Sequence, residues 1–266
     1  RIVYGISEGR PVTTGRRGDP QRQLALLWRR HKPIGERPTG PGRPPRLSVD
    51  ALVAAAMALA DADGLRGVTM GRVAAALDVG TMTLYSYVRS KAELVDLMVD
   101  EALTEQALPG PGEPRPGPWR GQVALYAERT LAMYRRHPWL LQVSAVRPPA
   151  GPGVMAEREY VLSTVAGLVL SPDRRNLAAL AIGTFVRAAA SLEVEDEQTE
   201  RASGQSGDAW WIERDALWEE YFDVERHPSM TDVWNAGGFE RGAGDAASAA
   251  NAYGLARLLD GIEAGG

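Results

Sequence analysis

A short run of hydroxyl-bearing side chains stands out near residue 84 of this 266-residue chain. Their oxygens can donate hydrogen bonds to phosphates and accept them from base edges. Leu84 and Val88 lie four positions apart in the same run, so helical spacing places them together on one face. Such a helix would bury these two residues and present its hydroxyl groups to a nucleic acid. The hydroxyl groups belong to Thr81, Thr83, Tyr85 and Tyr87.

Other kinds of reactive site find no support in the sequence. The chain has no cysteine, which excludes disulfides and thiolate metal sites. Its three histidines, His31, His137 and His227, are far apart and form no HxxxH pair. The nucleophile elbow GxSxG, the phosphate loop ending in GK[ST] and the zinc helix HExxH are also missing. We therefore expect no catalytic residue, no metal and no cofactor.

Three helices are predicted to position the hydroxyl run. Ser48 suits the N-cap of the first helix, whose apolar stripe ends near Gly64. Thr69 suits the N-cap of the second, and a polar turn then leads into the third, over residues 81–88. Ser90 caps a fourth helix, which should bridge to the rest of the chain. This arrangement is a helix-turn-helix, whose second helix enters the major groove of DNA.

The run VGTMTLYSYV at residues 79–88, followed by Lys91 and Leu94, closely resembles the signature of the TetR family of bacterial repressors. The resemblance implies an all-α protein. An N-terminal three-helix helix-turn-helix domain would bind DNA, and a C-terminal helical bundle would bind a ligand and dimerise. Gly71 departs from the tetracycline repressor, which has a DNA-reading arginine there, and Gly80 replaces the commoner Ser or Glu. The operator sequence therefore does not carry over.

Three regions are expected along the chain. Residues 1–46 form a basic extension rich in Gly, Pro and Arg that is partly disordered, residues 47–92 form the DNA-binding domain, and residues 93–266 form the regulatory domain. Helices are expected near 119–136, 138–146, 153–170, 173–193, 208–224 and 251–264. The acidic stretch 194–207 and the stretch 228–248 are both expected to be loops.

The extension holds 11 of the 30 basic residues but only 3 of the 34 acidic ones. Its net charge of +8 contrasts with −4 for the whole chain, so it is expected to supply phosphate attraction. Residues 21–30 fit either a transient helix in a disordered tail or a helix that docks on the protein or on DNA. The Gly-Arg-Pro core at residues 42–44 resembles a minor-groove AT-hook and equally suits a generic basic linker.

The predicted DNA contacts combine the recognition helix with flanking cations. The side chains expected to face the major groove are Thr81, Met82, Thr83, Tyr85 and Tyr87. Those expected to reach flanking phosphates are Thr69, Arg72 and Lys91. Two arginines of the extension, Arg43 and Arg46, are expected to approach the minor groove.

The C-terminal half carries two further predictions. Aromatic residues among its helices suit either a ligand pocket or ordinary core, with His137, Arg187 or Glu193 as polar anchors. The pocket candidates are Tyr126, Tyr134, His137, Trp139, Phe185 and Trp211. Two wide apolar stripes suit a four-helix dimer interface, as the resemblance implies, or intramolecular core. They comprise Leu177, Leu180, Thr184, Ala188, Leu255, Leu258, Leu259 and Ile262.

These observations predict a homodimeric repressor that binds a palindromic DNA operator and is released by an unidentified small-molecule effector. An activator, or a repressor without a ligand, fits the same motif. A helical interaction protein with a non-specific or vestigial DNA-binding domain is the alternative from another class. No run approaches the ~18 apolar residues that a membrane helix needs, so a cytoplasmic protein without membrane partners is expected.

Overall fold

The computed structural model describes residues 19–31 and 47–265, and within these ranges its regular elements are all helical. A 3-10 turn at Pro138–Gln142 and a π turn at Leu217–Tyr221 accompany the α-helices. The α-helices are α1 Pro20–Leu27, α2 Val49–Gly67, α3 Met70–Ala76, α4 Thr81–Tyr85, α5 Lys91–Thr104, α6 Trp119–Arg136, α7 Pro152–Thr164, α8 Pro172–Ser203, α9 Gly207–Ile212, α10 Pro228–Asn235 and α11 Ala243–Ala264.

Side-chain caps begin the helices of the N-terminal unit where the sequence predicts them. The hydroxyl oxygens of Ser48, Thr69 and Ser90 accept hydrogen bonds from the amides three residues further on, at 3.1, 3.2 and 3.1 Å. Each bond satisfies an amide that has no partner within its helix, and this stabilises the first turn. The three predicted N-caps are thereby confirmed.

The predicted end of α2 at Gly64 is a kink. This residue has φ of 68°, a value that L side chains rarely adopt, and the helix resumes for one short turn as far as Gly67. A Cβ atom at Gly64 would lie 3.2 Å from Nε2 of Gln142, in the 3-10 turn that follows α6. Glycine here allows the positive φ of the kink and lets the 3-10 turn at Pro138–Gln142 approach α2.

The N-terminal unit packs around a buried core that also takes in residues of α6, the 3-10 turn and α8. Leu52 of α2, Val73 of α3, Leu84 of α4 and Leu94 of α5 are fully buried in one cluster, together with Val88. The predicted inward orientation of Leu84 and Val88 is confirmed. α5 continues out of this unit and packs on α7, where a Cβ atom at Gly153 would overlap the backbone oxygen of Asp100. The expected boundary between residues 92 and 93 therefore falls inside the first turn of α5.

Helices α6, α7, α8 and α11 form the second bundle. α8 is longer than predicted, because residues 194–203 continue the helix instead of forming a loop. Val194 is fully buried in the core, and the Arg135 guanidinium of α6 lies 2.8 Å from Glu193 and 2.6 Å from Glu197 beside it. By length and composition α8 could span a membrane; in this chain one side of it packs against α6, α7 and α11, and its other side is exposed.

Residues 207–242, called here the aromatic segment, make few contacts with the bundle. The segment holds α9, the π turn and α10, where the sequence predicts a longer helix at 208–224 and a loop from residue 228. Its rings pack mainly on one another, with Trp218 at 5.7 Å from Trp234 and 5.4 Å from Phe222 between centroids. None of its residues is fully buried in the chain described here.

The short helix α1 docks on the N-terminal unit. Leu26 and Leu27 are buried in the same core as α2 and α5, and the indole nitrogen of Trp28 donates to the carbonyl of Ala150 at 2.9 Å. Of the two interpretations of residues 21–30, the structure shows the helix that packs on the protein.

Candidate nucleic-acid interface and ligand cavity

The recognition helix α4 presents four of the predicted side chains on one exposed surface. Thr81, Met82 and Thr83 are exposed, Met82 by 80%, and Tyr85 is exposed by 42%. Leu84 anchors the helix from the opposite side. Hydroxyl groups can bond to phosphates or base edges, while the thioether and the threonine methyls suit the thymine methyl group. This surface has the chemistry of a major-groove reader.

Tyr87 does not share that surface, contrary to the prediction. It is half-buried against the core, and its hydroxyl donates to the carbonyl of Leu47 at 3.3 Å. Its own carbonyl accepts a hydrogen bond from Arg22 of α1 at 3.0 Å. Because α4 ends at Tyr85, the backbone has left the helix and turns this ring towards the start of α2.

The predicted phosphate contacts are already engaged within the chain. The Lys91 ammonium donates to the carbonyl of Leu65, and burial lowers the pKa of this lysine. Arg72 is exposed but pairs with Asp63 and donates to the carbonyl of Gly67 at 3.0 Å. Thr69 is exposed beside them as the cap of α3. Lys91 therefore stabilises the end of α2, whereas Arg72 would exchange Asp63 for a phosphate.

Arg89 is a cation that the sequence analysis missed. It is exposed in the segment between α4 and α5, and its guanidinium forms no ion pair among the described residues. The signal was its position two residues before Lys91, a lysine already selected by the motif. Arg43 and Arg46 lie outside the described residues.

The described arginines of the extension face the protein. Arg22 pairs with Glu93 at 2.7 Å, and Arg30 pairs with Asp50 at 2.7 Å and with Glu101 at 3.0 Å. Arg29 also pairs with Asp50. These charges neutralise acidic groups of α2 and α5, so they contribute less to phosphate attraction than the net charge of the extension suggests.

A cavity of about 330 Å³ lies in the second bundle. α5 contributes Val99 and Leu103 to its wall, α6 contributes Met133 and Tyr134, and the loop 143–148 closes one side. α7 and α8 complete it. Its volume and mainly apolar lining suit a small organic molecule.

Three polar side chains meet at the wall of this cavity. The Tyr126 hydroxyl donates to Glu157 at 2.6 Å, and Nη1 of Arg187 lies 3.4 Å from both groups. Burial and the neighbouring charge of Glu157 raise the pKa of Tyr126 well above its usual value, so this hydroxyl keeps its proton. Of the three anchors suggested from the sequence, Arg187 reaches the cavity.

Of the six pocket candidates, Tyr134 lines the cavity and Tyr126 lies behind it in the polar group. His137 and Trp139 are instead buried at the junction with α2, where both bond to Asp61 at 2.8 Å. Phe185 faces a separate groove on the other side of α8, and Trp211 belongs to the aromatic segment. Helical periodicity did not distinguish these surroundings, because each depends on distant residues.

The two predicted dimer stripes differ in exposure. Leu177, Leu180, Thr184 and Ala188 are exposed on one face of α8, Leu177 by 56%. Leu259 of α11 is buried and belongs to the core of its own chain, contrary to the prediction, because α11 packs on α8. Leu255, Leu258 and Ile262 are half-buried against the same core. Among the described residues, no group of three or more acidic or histidine side chains could hold a metal ion.

Comparison with known proteins identifies the family. The model of the "tetracyclin repressor-like, C-terminal domain" matches residues 111–265, and that of "bacterial regulatory proteins, tetR family" matches residues 52–98. The chain belongs to the TetR family. TetR-family members are DNA-binding transcriptional regulators that are not enzymes, and the resemblance seen in the sequence is confirmed.

Two relatives of this TetR-family chain are informative. The HTH-type transcriptional repressor DrrR1 of Streptomyces coeruleorubidus is 36% identical over 262 residues, which cover 97% of this chain and 91% of the relative. The TetR-family protein ActR of Streptomyces coelicolor is 28% identical in sequence to this chain. Its structure in complex with actinorhodin superposes with a TM-score of 0.64 and covers 82% of this chain and 98% of ActR. ActR has also been crystallised with (S)-DNPA, with a TM-score of 0.62.

Proposed function

We propose that this TetR-family chain is a homodimeric repressor that binds a palindromic operator and is released from it by a small-molecule ligand. One observation carries the proposal: α5 connects the DNA-reading surface to the cavity. It begins six residues after α4 ends, and its Val99 and Leu103 line the cavity. A ligand that changes the position of α5 would change the position of α4.

The release step needs a ligand that binds one of two arrangements better than the other. A difference of ~1–3 kcal/mol in the binding free energy of the ligand for the two arrangements gives the typical coupling between two sites. The repressor DrrR1 supports the regulatory role, and ActR, in which actinorhodin is bound, supports an organic effector. We place the protein in the cytoplasm and expect no enzymatic activity, in line with its family.

Dimerisation follows from the geometry of DNA. One short helix reads only a few base pairs, whereas two related by a two-fold axis can read successive major grooves ~34–36 Å apart. The exposed stripe of α8 is the surface that we propose for the dimer. Replacing Leu177 and Ala188 together by Asp should give a monomer in size-exclusion chromatography with light scattering. Met82→Asp, a substitution at a still more exposed position on α4, should remain a dimer and lose DNA binding.

The operator is tested by selecting binding sites from fragmented genomic DNA with the purified full chain. A sharp inverted repeat recovered by the native protein and lost in Met82→Asp would support the proposal. Equal recovery of all fragments would favour the interaction protein with a vestigial DNA-binding domain. Actinorhodin and (S)-DNPA are suitable first compounds to test as effectors. Ligand release would be contradicted if the native protein stayed on its operator while each compound that binds the cavity was bound there.

A further inference from the structure

The ionisable groups that line the cavity have an excess of positive charge. They are Glu157, Arg158 and Arg187, among otherwise apolar or neutral side chains. Arg158 is exposed and donates to the amide oxygen of Asn176 at 3.1 Å. Arg187 is deeper, on the face of α8 that looks into the bundle. A charged group inside an apolar cavity has a large effect on which ligands bind, because water does not screen it fully.

The chain makes room for the Arg187 guanidinium. Gly183 precedes it by one helical turn and also lines the cavity, and a Cβ atom there would lie 3.2 Å from Nη1 of Arg187. This contact is tighter than most real ones, so an alanine would push the guanidinium aside. The glycine thus lets the charged group lie flat against α8 at the wall of the cavity.

Arg187 is held in place without being fully paired. Its contacts with Tyr126 and Glu157 both use Nη1 at 3.4 Å, and its Nη2 and Nε groups make none of the hydrogen bonds found among the described residues. Glu157 accepts its shorter bond, at 2.6 Å, from the Tyr126 hydroxyl. Planar guanidinium groups bind carboxylates and related anions through two parallel N–H groups. Two such donors remain here for a ligand.

We propose that the effector of this cavity is an acidic molecule with an apolar, largely aromatic body, and that the Arg187 guanidinium binds its acidic group. The inference rests on the proposed function, since it assigns the chemistry of the ligand in the same cavity. Glu157 and Tyr126 act as positioning residues that orient the guanidinium. A neutral molecule of the same shape would gain the apolar contacts and forgo the charged hydrogen bonds.

The test uses two fluorescent probes that share an aromatic framework and differ in charge. 1-Anilinonaphthalene-8-sulfonate carries a sulfonate, and N-phenyl-1-naphthylamine is its neutral counterpart. Both are titrated into the native full chain and into Arg187→Gln. Loss of charged hydrogen bonds should weaken binding of the sulfonate about 10-fold or more, since a tenfold change corresponds to 1.4 kcal/mol. Binding of the neutral probe should change less than about twofold on the same scale.

Four further variants make the result specific. Arg158→Gln removes the exposed cation of the same lining and should weaken sulfonate binding much less than Arg187→Gln does, and Arg187→Lys should retain part of the preference for the sulfonate. Ala179→Phe fills the cavity. Only the probe fluorescence that this variant abolishes is counted as cavity binding, so fluorescence from probe bound to the aromatic segment is excluded. Val143→Trp serves the same purpose if circular dichroism shows that Ala179→Phe does not fold.

Several outcomes would overturn the inference. If Arg187→Gln weakened the binding of both probes equally, the Arg187 side chain would contribute packing and no charge recognition. If Arg158→Gln weakened sulfonate binding as much as Arg187→Gln does, the preference would come from the net charge of the region and not from Arg187. Sulfonate binding that survives both cavity-filling variants would show that the cavity does not take the acid. None of these measurements involves DNA, so failure of operator release remains distinguishable from failure of this assignment.

Discussion

The N-terminal helical unit and the aromatic segment bury their apolar side chains to very different degrees. Leu52, Leu84 and Leu94 have no exposed surface, although each belongs to a different helix. Trp211 and Trp234, in the aromatic segment, are exposed by 44% and 56%. One region completes its core within a single chain, while the other leaves large rings in contact with water.

The difference marks the aromatic segment as the region with apolar surface that a partner could cover. Contiguous exposed apolar surface is uncommon on monomers and marks contact sites, whereas a closed core is stable without a partner. The proposed DNA-reading surface rests on the buried core of the N-terminal unit, so its shape is set within one chain. Four substitutions test this contrast, beginning with the largest expected effect.

The largest effect is expected from Leu84→Ala in the N-terminal unit. Removing a fully buried leucine leaves a cavity beneath the recognition helix, and such changes cost about 2–5 kcal/mol of stability. Urea denaturation followed by circular dichroism measures the loss, and DNA binding should fall with it. Thr83→Ala, one residue away on the exposed face, is the control and should leave stability nearly unchanged. A loss below ~1 kcal/mol would mean that the unit is less tightly packed than described.

A smaller effect, of opposite sign, is expected from Asp96→Asn. This carboxyl is buried under α1, where Gln23 donates to one oxygen and the other has no partner. Burial, aided by the charge of Glu93, raises the pKa of Asp96 from 3.8 to about 6. The neutral form is favoured on folding, so this stabilisation is complete below about pH 4 and is lost as the pH rises through 6.

Asn mimics the neutral form at every pH. The variant should therefore exceed the native protein in stability by about 1–3 kcal/mol at pH 8, with a smaller difference near pH 4.5. Paired urea titrations at the two pH values measure it. Asp78→Asn, at an exposed turn, is the surface control. If the stability difference between the variant and the native protein were the same at both pH values, the raised pKa of the buried Asp96 carboxyl would be contradicted.

Trp234→Ala tests the aromatic segment directly. Because the ring retains more than half of its exposure, the loss within one chain should be about 1 kcal/mol, well below that of Leu84→Ala. Thermal unfolding is followed over a hundredfold range of protein concentration. A cost that grows with concentration would show that a second chain covers the ring. A cost equal to that of Leu84→Ala at every concentration would remove the contrast between the two regions.

The smallest effect is expected from Gly80→Ser at the start of α4. Gly80 occupies the N-cap without a side-chain hydrogen bond, and a Cβ atom there meets only Thr83 Oγ1 at 3.8 Å. A serine hydroxyl can accept from the free amides of the first turn, which should add a few tenths of a kcal/mol. Gly80→Ala adds the same Cβ atom without the hydroxyl and should not stabilise, because alanine is a poor N-cap. A destabilised Gly80→Ser would contradict the cap geometry.

Local patterns predicted the elements whose causes are local. Ser48, Thr69 and Ser90 cap helices through amides three residues away, and Leu84 and Val88 share a face through helical periodicity. The helix predicted at 119–136 has those bounds in the structure. The resemblance in residues 79–94 extended these local signals to the family and the all-α fold.

Distant partners decided the rest. The acidic stretch after Glu193 suggested a loop, yet Val194 is buried in the core and Arg135 of α6 pairs with Glu193 and Glu197, so the helix continues. Tyr87 turns inward, where its hydroxyl bonds to Leu47. Residues 19–31 of the extension dock on the protein, where α2 and α5 carry the acidic partners of their arginines.

The helical class, the caps, the inward face of the recognition helix and the family could be predicted because they depend on spacings of a few residues. Contacts between distant residues set which aromatic residues line the cavity, how Gly183 makes room for Arg187, and how Glu157 and Tyr126 hold it. Those groups are up to 61 residues apart in the chain, and burial and charge act through space.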